Sequence, residues 1–270
     1  MNSDISAVRL ERADHVVTVE LNRPDALNAL STGLARELIE VAQSIAADAS
    51  ARAVVLAGAG ERAFCTGADL KERNRLTDDG WREQREVFRT MFAAVRDLPQ
   101  PTIAAVHGYA LGGGCELALS CDVIVADESA VLGLPEVSIG PVPGGGGTQL
   151  TTRRLGPGRA ADLVLTGRHV PALEAHTIGL VDRLVPAGSA RAAAIEIAQQ
   201  IATNSPVATR AAKAALHAGW GKDDTAAMDV EDNAWRTAAF SADRVEGIAA
   251  YVEKRPPDWP ATGLSSVRGD

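Results

Sequence analysis

Short apolar runs alternate with longer amphipathic segments over roughly the first 185 residues, and this rhythm constrains the fold more than any other feature. The runs are four to six residues long and read as buried strands; they include Val16–Glu20, Ala53–Ala57 and Thr102–Val106. Between them, apolar residues recur at helical spacing after Ser31, which suits a helix N-cap, and again over residues 79–97. Strands alternating with helices predict an α/β domain with buried sheets.

The rest of the chain has a different character. From about Arg191 onward it is rich in alanine and predicted to be helical, with breaks at Ser205, Gly219 and Ser241. The apolar faces of such helices need a partner, which could be the α/β core or another subunit. We therefore predict two regions: an α/β core over residues 1–198, and a C-terminal helical region over residues 199–270.

Composition excludes several classes of protein. The chain has 270 residues, a formal charge of −8 and three cysteines without a Cys-x-x-Cys pair. The acidic balance disfavours a nucleic-acid surface, and the few cysteines disfavour a disulfide framework. No apolar stretch is long enough for a membrane span, and residues 1–6 lack the pattern of a secretory signal. These features predict a cytoplasmic protein that binds neither nucleic acid nor membrane.

Two glutamates each lie beside a glycine-dense turn. Glu116 follows the triplet Gly112–Gly114, and Glu136 precedes the run Gly144–Gly147. Glycine allows backbone to approach a ligand closely, and carboxylates next to such backbone suit acid–base work on a bound carbonyl compound. Simpler explanations exist: the glycines could serve only tight packing, Glu116 could complement a helix dipole, and Glu136 could be a surface residue.

Other functional signals are weak. The sequence after Gly58 and Gly60 does not continue as a dinucleotide-binding fingerprint. The five histidines show no metal-ligand spacing, and no Gly-x-Ser-x-Gly motif occurs. We therefore predict no metal site.

Several motifs together resemble the crotonase (enoyl-CoA hydratase/isomerase) superfamily. They occur in the family's order between about Val16 and Arg255, and comprise Leu21–Asn28, Phe64–Lys71, Gly108–Glu116, Pro135–Gln149 and Glu246–Arg255. The resemblance implies a spiral of ββα units that forms two roughly perpendicular sheets flanked by helices. It also implies a C-terminal helical trimerisation region that covers the CoA site, and assembly as a homotrimer or homohexamer.

The same resemblance implies a catalytic site. Backbone N–H groups of Ala68 and Gly113 would form an oxyanion hole around the thioester oxygen of an acyl-CoA. A strand that feeds a glycine turn and a helix beginning near Gly114 would suit that role, because the N–H groups of a first helical turn are free. If this chain is a hydratase, the resemblance implies that Glu116 mainly activates water for attack at C3 and that Glu136 delivers a proton to C2.

Residues that contact the CoA moiety follow from the same motifs. Cationic candidates for its phosphates are Arg23, Lys71 and Lys254, the last reaching from a neighbouring subunit. Tyr251 is a candidate contact for the adenine or the pantetheine arm. The substrate-binding prediction further includes the segment around the oxyanion hole, namely Ala68, Asp69, Leu70, Gly112 and Gly113.

The function implied is hydration of a 2-enoyl-CoA to a 3-hydroxyacyl-CoA. No separate cofactor is implied, because the CoA thioester is the substrate. Three alternatives stay open: a Δ3,Δ2-enoyl-CoA isomerase, another crotonase-type acyl-CoA reaction, and a non-catalytic acyl-CoA-binding protein. The polar segment Glu72–Trp81, with a turn at Asp78–Gly80, is predicted to be a mobile loop beside the acyl pocket, and no particular acyl group follows from it.

Overall fold

The computed structural model describes residues 6–259. The predicted absence of a secretory signal rests on residues 1–6, and residues 1–5 lie outside the described part. The last residues of the predicted C-terminal region, 260–270, also lie outside it.

The described residues form ten strands, two short 3₁₀ helices and eleven α-helices. The strands are β1 (Val8–Ala13), β2 (Val16–Leu21), β3 (Ala53–Gly58), β4 (Ala63–Cys65), β5 (Thr102–Val106), β6 (Tyr109–Leu111), β7 (Val123–Asp127), β8 (Val131–Gly133), β9 (His169–Pro171) and β10 (Arg183–Val185). The α-helices are α1 (Thr32–Ala47), α2 (Leu70–Arg73), α3 (Asp78–Arg96), α4 (Gly113–Leu119), α5 (Gly147–Leu155), α6 (Pro157–Thr166), α7 (Ala172–Ile178), α8 (Ala190–Ala202), α9 (Pro206–Gly219), α10 (Asp224–Ala239) and α11 (Ala242–Glu253). The 3₁₀ helices are Pro24–Ala26 and Pro135–Ile139.

The strands form two sheets. One has six strands in the order β1-β2-β3-β5-β7-β10, and only the β1–β2 pair is antiparallel. The other has four strands in the order β4-β6-β8-β9, with β9 antiparallel to β8. The predicted α/β class, with two sheets flanked by helices, is confirmed. The edge strand β1 and the three-residue strands β4, β6, β9 and β10 were not predicted from the sequence.

The six-stranded sheet has apolar groups packed on both faces, which explains its continuous apolar runs. In β3, Val54 and Leu56 belong to the larger core cluster, whereas Val55 belongs to a second cluster with Ala194 and Ala198 of α8. Because side chains alternate along a strand, one short run supplies both clusters.

Hydroxyl caps define several helix starts. Ser31 Oγ accepts a hydrogen bond from Leu34 N, as predicted, and Ser205 and Ser241 likewise cap α9 and α11. Thr77 Oγ1 accepts from Gly80 N at 3.2 Å. The predicted turn at Asp78–Gly80 is therefore wrong, because these residues form the first turn of α3.

The predicted boundary at residues 198/199 falls inside α8, which packs along its length on the six-stranded sheet. The division into two regions stays a prediction. Beyond α8, polar contacts fix helix α9 to the core. Lys213 Nζ of α9 donates to Gln100 O at 2.9 Å and pairs with Asp122 at 2.8 Å. Within residues 6–259, no helix is both long and apolar enough to span a membrane.

Candidate active site

The first glycine turn links the two sheets to a helix. After β5 the chain forms β6, turns at Gly112 and begins α4 at Gly113, one residue earlier than predicted. Gly112 has a φ of 52° and a ψ of −125°, a conformation that side-chain-bearing residues rarely adopt. A Cβ atom there would also lie 3.1 Å from Glu136 Oε1. The turn therefore favours glycine, and any other residue there would also crowd the Glu136 carboxyl group.

The segment that contains Ala68 lies against this turn. Gly67 O accepts from Leu30 N at 2.7 Å, and Asp69 N donates back to Leu30 O at 2.9 Å. Gly67 has a φ of 85°, and a Cβ atom on it would lie 3.0 Å from Gly113 N. Among residues 6–259, neither the Ala68 N–H nor the Gly113 N–H has a hydrogen-bond acceptor. The fold therefore leaves two free amide donors on neighbouring segments.

Both amide-bearing residues line one cavity, together with both glutamates. Its volume is about 660 Å³, which is in the usual range for small-molecule sites. The cavity wall mixes backbone, aromatic and charged groups, and includes Ala68, Leu70, Arg73, Trp81, Arg85, Phe88, Gly113, Glu116, Glu136 and Gly145. Sequence segments far apart in the chain thus meet at one place, as the glycine turns suggested.

Glu116 lies in the first turn of α4 and is only 3% exposed. Its Oε1 accepts hydrogen bonds from Gly145 N at 2.6 Å and Gly147 N at 2.8 Å. A Cβ atom at Gly147 would lie 2.9 Å from that oxygen, so glycine is needed for the contact. Burial raises the pKa of Glu116, while the two N–H groups and the positive charges of Arg85 and Arg73 oppose the rise.

Glu136 belongs to the 3₁₀ helix Pro135–Ile139 and is half-buried. Its Oε2 is buried and has no hydrogen-bond partner among the described residues. Burial raises the pKa of Glu136 to about 7, and the negative charge of Glu116 adds to the rise. Its own N–H and the positive charge of Arg73 act in the opposite direction. The cavity thus holds one well-bonded carboxyl group and one that favours its protonated form more strongly than a free glutamate does.

The residues predicted to contact the CoA phosphates do not line this cavity. Arg23 pairs with Asp69 at 3.0 Å and also donates to Ala29 O, while Asp69 caps α2. Although burial opposes it, the Glu72 N–H and Arg23 hold the pKa of Asp69 below its usual value. Lys71 is exposed on α2 and does not line the cavity.

Two predicted CoA contacts lie on the C-terminal helices. Tyr251 is 87% exposed on α11, and Lys254 ends that helix in the left-handed conformation. Neither residue lines the cavity of this chain. The structure brings together Ala68, Leu70, Gly112, Gly113, Glu116 and Glu136, but not Arg23, Asp69, Lys71, Tyr251 or Lys254. The functional roles assigned to all of these residues stay predictions.

The sequence analysis missed the wall formed by α2 and α3. Arg73, Trp81, Arg85 and Phe88 all line the cavity. The segment Glu72–Trp81 was expected to be a mobile loop, but it contains the end of α2, a short connection and the start of α3. The available signal was the helical spacing of Trp81, Arg85, Phe88 and Phe92, which places them on one side of a helix.

Two further expectations concern cysteines and metals. Cys65 and Cys115 are buried free thiols, and burial raises the pKa of each to about 12. Both are therefore poorly suited to nucleophilic work and serve packing. In the described part of the chain, no group of His, Cys, Asp and Glu side chains is arranged to hold a metal ion.

Known proteins match this chain over most of its length. The family model "Enoyl-CoA hydratase/isomerase" matches residues 11–262. YngF of Bacillus subtilis is 44% identical over 242 residues, which cover 90% of this chain and 93% of YngF. The short-chain-enoyl-CoA hydratase of Clostridium acetobutylicum is 38% identical over 252 residues, covering 93% of this chain and 97% of that enzyme. A crystal structure of an enoyl-CoA hydratase from Bacillus anthracis superposes with a TM-score of 0.92 at 43% identity, covering 95% of this chain and all of the other.

Proposed function

The chain belongs to the enoyl-CoA hydratase/isomerase family, and from this membership we propose that it reversibly adds water to a 2-enoyl-CoA to give a 3-hydroxyacyl-CoA. One observation carries the proposal. Two glutamates with different surroundings, Glu116 and Glu136, line a cavity that also holds two amide N–H groups without acceptors.

The two amides would bind the thioester carbonyl. As water adds to C3, negative charge develops on the thioester oxygen, and the N–H groups of Ala68 and Gly113 would stabilise it. Losing one such donor typically slows a reaction about 10²- to 10³-fold. The Ala68 donor needs little reorganisation, because the hydrogen bonds made by Gly67 O and Asp69 N already fix the segment on either side of it.

The two carboxyl groups would divide the proton transfers. Glu116, ionised, accepts a proton from water while the water oxygen forms its bond to C3. Glu136, protonated, donates its proton to C2, which takes up the electron pair of the former double bond. Proton exchange with solvent then returns both groups to their starting states. Since the bonds from Gly145 N and Gly147 N favour the charged form of Glu116, and Glu136 Oε2 lacks any such bond among the described residues, this assignment follows the environments.

The reaction balances with enoyl thioester and water alone. We therefore propose no redox or metal cofactor, with the CoA thioester itself as substrate. Chemistry at C2 and C3 needs only the proton transfers described above.

Incubation with crotonyl-CoA in D₂O tests the proposal. The expected product carries a hydroxyl group at C3 and one deuterium at C2, as read by mass spectrometry and NMR. A 3-enoyl-CoA supplied in parallel separates the isomerase alternative, which would yield the 2-enoyl isomer without added water. Saturable binding without turnover of either substrate would contradict the proposal and favour an acyl-CoA-binding protein.

We also propose assembly as a homotrimer or homohexamer. Helices α9–α11 expose large apolar side chains that a monomer would leave in water, including Leu216, Trp220, Met228, Trp235, Phe240 and Ile248. Leu216, Trp220, Met228 and Trp235 line one shared groove, and exposed apolar side chains that cluster in this way are typical of a subunit interface. Light scattering after gel filtration should give three or six times the 28.1 kDa chain mass; a monomeric mass would contradict the proposal.

A further inference from the structure

Two arginines line the cavity beside the glutamates, and the proposed hydration does not use them. Arg73 lies at the end of α2, and Arg85 lies on α3. Arg85 comes close to the second glycine run, because a Cβ atom at Gly144 would lie 3.7 Å from its guanidinium. The arrangement around Arg73 is the more informative of the two.

A buried glutamine fixes Arg73. Arg73 Nε donates to Gln84 Oε1 at 2.9 Å, and Gln84 Nε2 donates in turn to Thr32 Oγ1 at 2.9 Å. Gln84 is only 3% exposed, so water hardly competes for the hydrogen bonds of its amide. A guanidinium carries five N–H donors, and this contact uses one of them.

Aromatic rings surround the same guanidinium. Its central carbon lies 4.8 Å from the centroid of the Trp81 ring and 5.2 Å from that of Phe88. Trp81 Nε1 also donates to the backbone oxygen of Arg73 at 3.2 Å. Arg73 is thus half-buried and held by packing, whereas a surface arginine usually extends freely into water.

Arg73 nevertheless has no ion-pair partner in the described structure. The ion pairs among residues 6–259 involve other arginines, such as Arg23, Arg154 and Arg191. Burial lowers the pKa of Arg73, while the charges of Glu116 and Glu136 oppose the change at longer range. A partly desolvated cation fixed in place without a counter-ion is costly unless a ligand supplies one.

The position of the arginines indicates which part of an acyl-CoA would supply the anion. Both arginines line the same cavity as Glu116 and Glu136, so they lie near the carboxyl groups that would act at C2 and C3. The CoA phosphates are separated from the thioester by the whole pantetheine arm. An anion beside Arg73 therefore belongs to the acyl group rather than to CoA.

We propose that the preferred acyl group carries its own carboxylate a short distance beyond C3, bound by Arg73 with Arg85 nearby. The substrate class is the monothioester of CoA with a short unsaturated dicarboxylic acid. Arginine suits this role, since its planar N–H groups match the two oxygens of a carboxylate. This inference rests on the proposed hydratase function for its chemistry, but the binding preference can be measured without turnover.

The test compares two ligands that differ in one charge. Glutaconyl-CoA ends in a carboxylate, and its ω-amide is a neutral analogue of nearly the same shape. For the unmodified protein we expect kcat/KM to be about 10- to 100-fold higher for the carboxylate, as one charge-assisted contact provides. In Arg73→Gln, kcat/KM for the carboxylate should be only about 1- to 3-fold that for the ω-amide, mainly because KM for the carboxylate rises. Arg73→Lys should restore part of the preference.

A control variant and a binding assay keep the test decisive. Arg82→Gln removes an exposed α3 arginine that pairs with Asp79 and does not line the cavity, so the ratio should stay at its wild-type value. Calorimetry with saturated glutaryl-CoA and its ω-amide reports the same preference without catalysis. The inference is overturned if the unmodified protein has equal kcat/KM and equal affinity for the carboxylate and the ω-amide. It is also overturned if Arg73→Gln lowers kcat/KM by the same factor for both. Tight glutaryl-CoA binding without hydration of any enoyl-CoA would instead reject the hydratase and retain the carboxylate site.

Discussion

Glu116 and Glu136 share a cavity, yet the structure treats them differently. Glu116 is held by a regular helix and two backbone N–H groups, in a nearly fully buried position. Glu136 is carried by a short 3₁₀ helix, is half-buried and has an oxygen without a partner in the described structure. Burial raises the pKa of both carboxyl groups, but Glu116 receives two backbone N–H hydrogen bonds that favour its charged form, whereas the negative charge of Glu116 raises the pKa of Glu136 further.

The difference also shows what sets the pKa of each carboxyl group. Two backbone N–H groups of the second turn favour the charged form of Glu116, together with the positive charges of Arg85 and Arg73. The pKa of Glu136 depends on burial and on neighbouring charges, which side-chain substitutions can alter. The predictions below test this contrast, beginning with the largest effect.

Glu116→Gln should lower kcat by about 10³- to 10⁴-fold, with a much smaller change in KM. The amide can still accept the bonds from Gly145 and Gly147, but it cannot take a proton from water. Steady-state hydration of crotonyl-CoA measures the loss. Turnover near the wild-type value would show that Glu116 is not the base.

Glu136→Gln should lower kcat by about 10²- to 10³-fold, because the proton donor to C2 is lost. In the double variant the two losses should be strongly non-additive, as expected for groups that act in one step. The measurement is kcat for the unmodified protein, the two single variants and the double variant. Full additivity would contradict a shared step.

Gly147→Ala should reduce kcat by about 10- to 100-fold, because the new Cβ atom would lie 2.9 Å from Glu116 Oε1 and 2.7 Å from Pro143 Cβ, and would therefore displace the carboxyl group. Gly158→Ala, on α6 with no atom within 4 Å of the added Cβ, is the matched control. That control should keep its activity. A loss of similar size in both variants would refute the role of the Glu116 contacts.

The pH dependence should follow Glu136. Its pKa of about 7 means that the protonated form declines above that pH. We expect kcat/KM for hydration to fall about tenfold per pH unit above about 7, and we expect this fall to disappear in Glu136→Gln. A wild-type profile that stays flat to high pH would contradict the assigned role of Glu136 as acid.

The smallest effect concerns stability. The folded-state pKa of Glu136 is raised above its usual value of 4.5, so the native state keeps a proton that the unfolded state releases. The free energy of unfolding should therefore decrease as the pH rises from about 4.5 through 7. Because water in the open cavity screens the charge, Glu136→Gln should be more stable than the unmodified protein by about 1–2 kcal/mol above pH 7, with no difference at pH 4.5. Urea unfolding curves at both pH values provide the measurement, and parallel pH profiles of the two proteins would contradict it.

The sequence predicted the parts of the site that depend on local chemistry. Gly112 and Gly113 follow a strand and begin a helix, and such a turn can be recognised from a short window of residues. The proximity of Ala68 and Gly113 in one cavity is not local, and it was expected only from the resemblance to the family. The proposed roles of these residues await the experiments above.

The parts that could not be predicted depend on distant pairings. Arg73 owes its position to Gln84, which in turn bonds to Thr32, 52 residues away. Arg23 pairs with Asp69, 46 residues away, and this pairing keeps it from the cavity wall. The predicted helix over residues 79–97 matches α3 within one residue, but the turn-like composition of Asp78–Gly80 concealed that Thr77 caps its first turn. Composition alone does not distinguish a turn from a capped first helical turn.

The wall of the cavity is built from two kinds of parts. Ala68 and Gly113 present main-chain amides, which most point substitutions leave in place, whereas α2 and α3 present side chains that a single codon change can replace. Proteins descended from one ancestral gene could therefore differ in the acyl groups they accept and still bind the thioester through the same main-chain amides. Laboratory evolution of substrate range in this scaffold would do well to randomise α2 and α3 first and leave the glycine turns untouched.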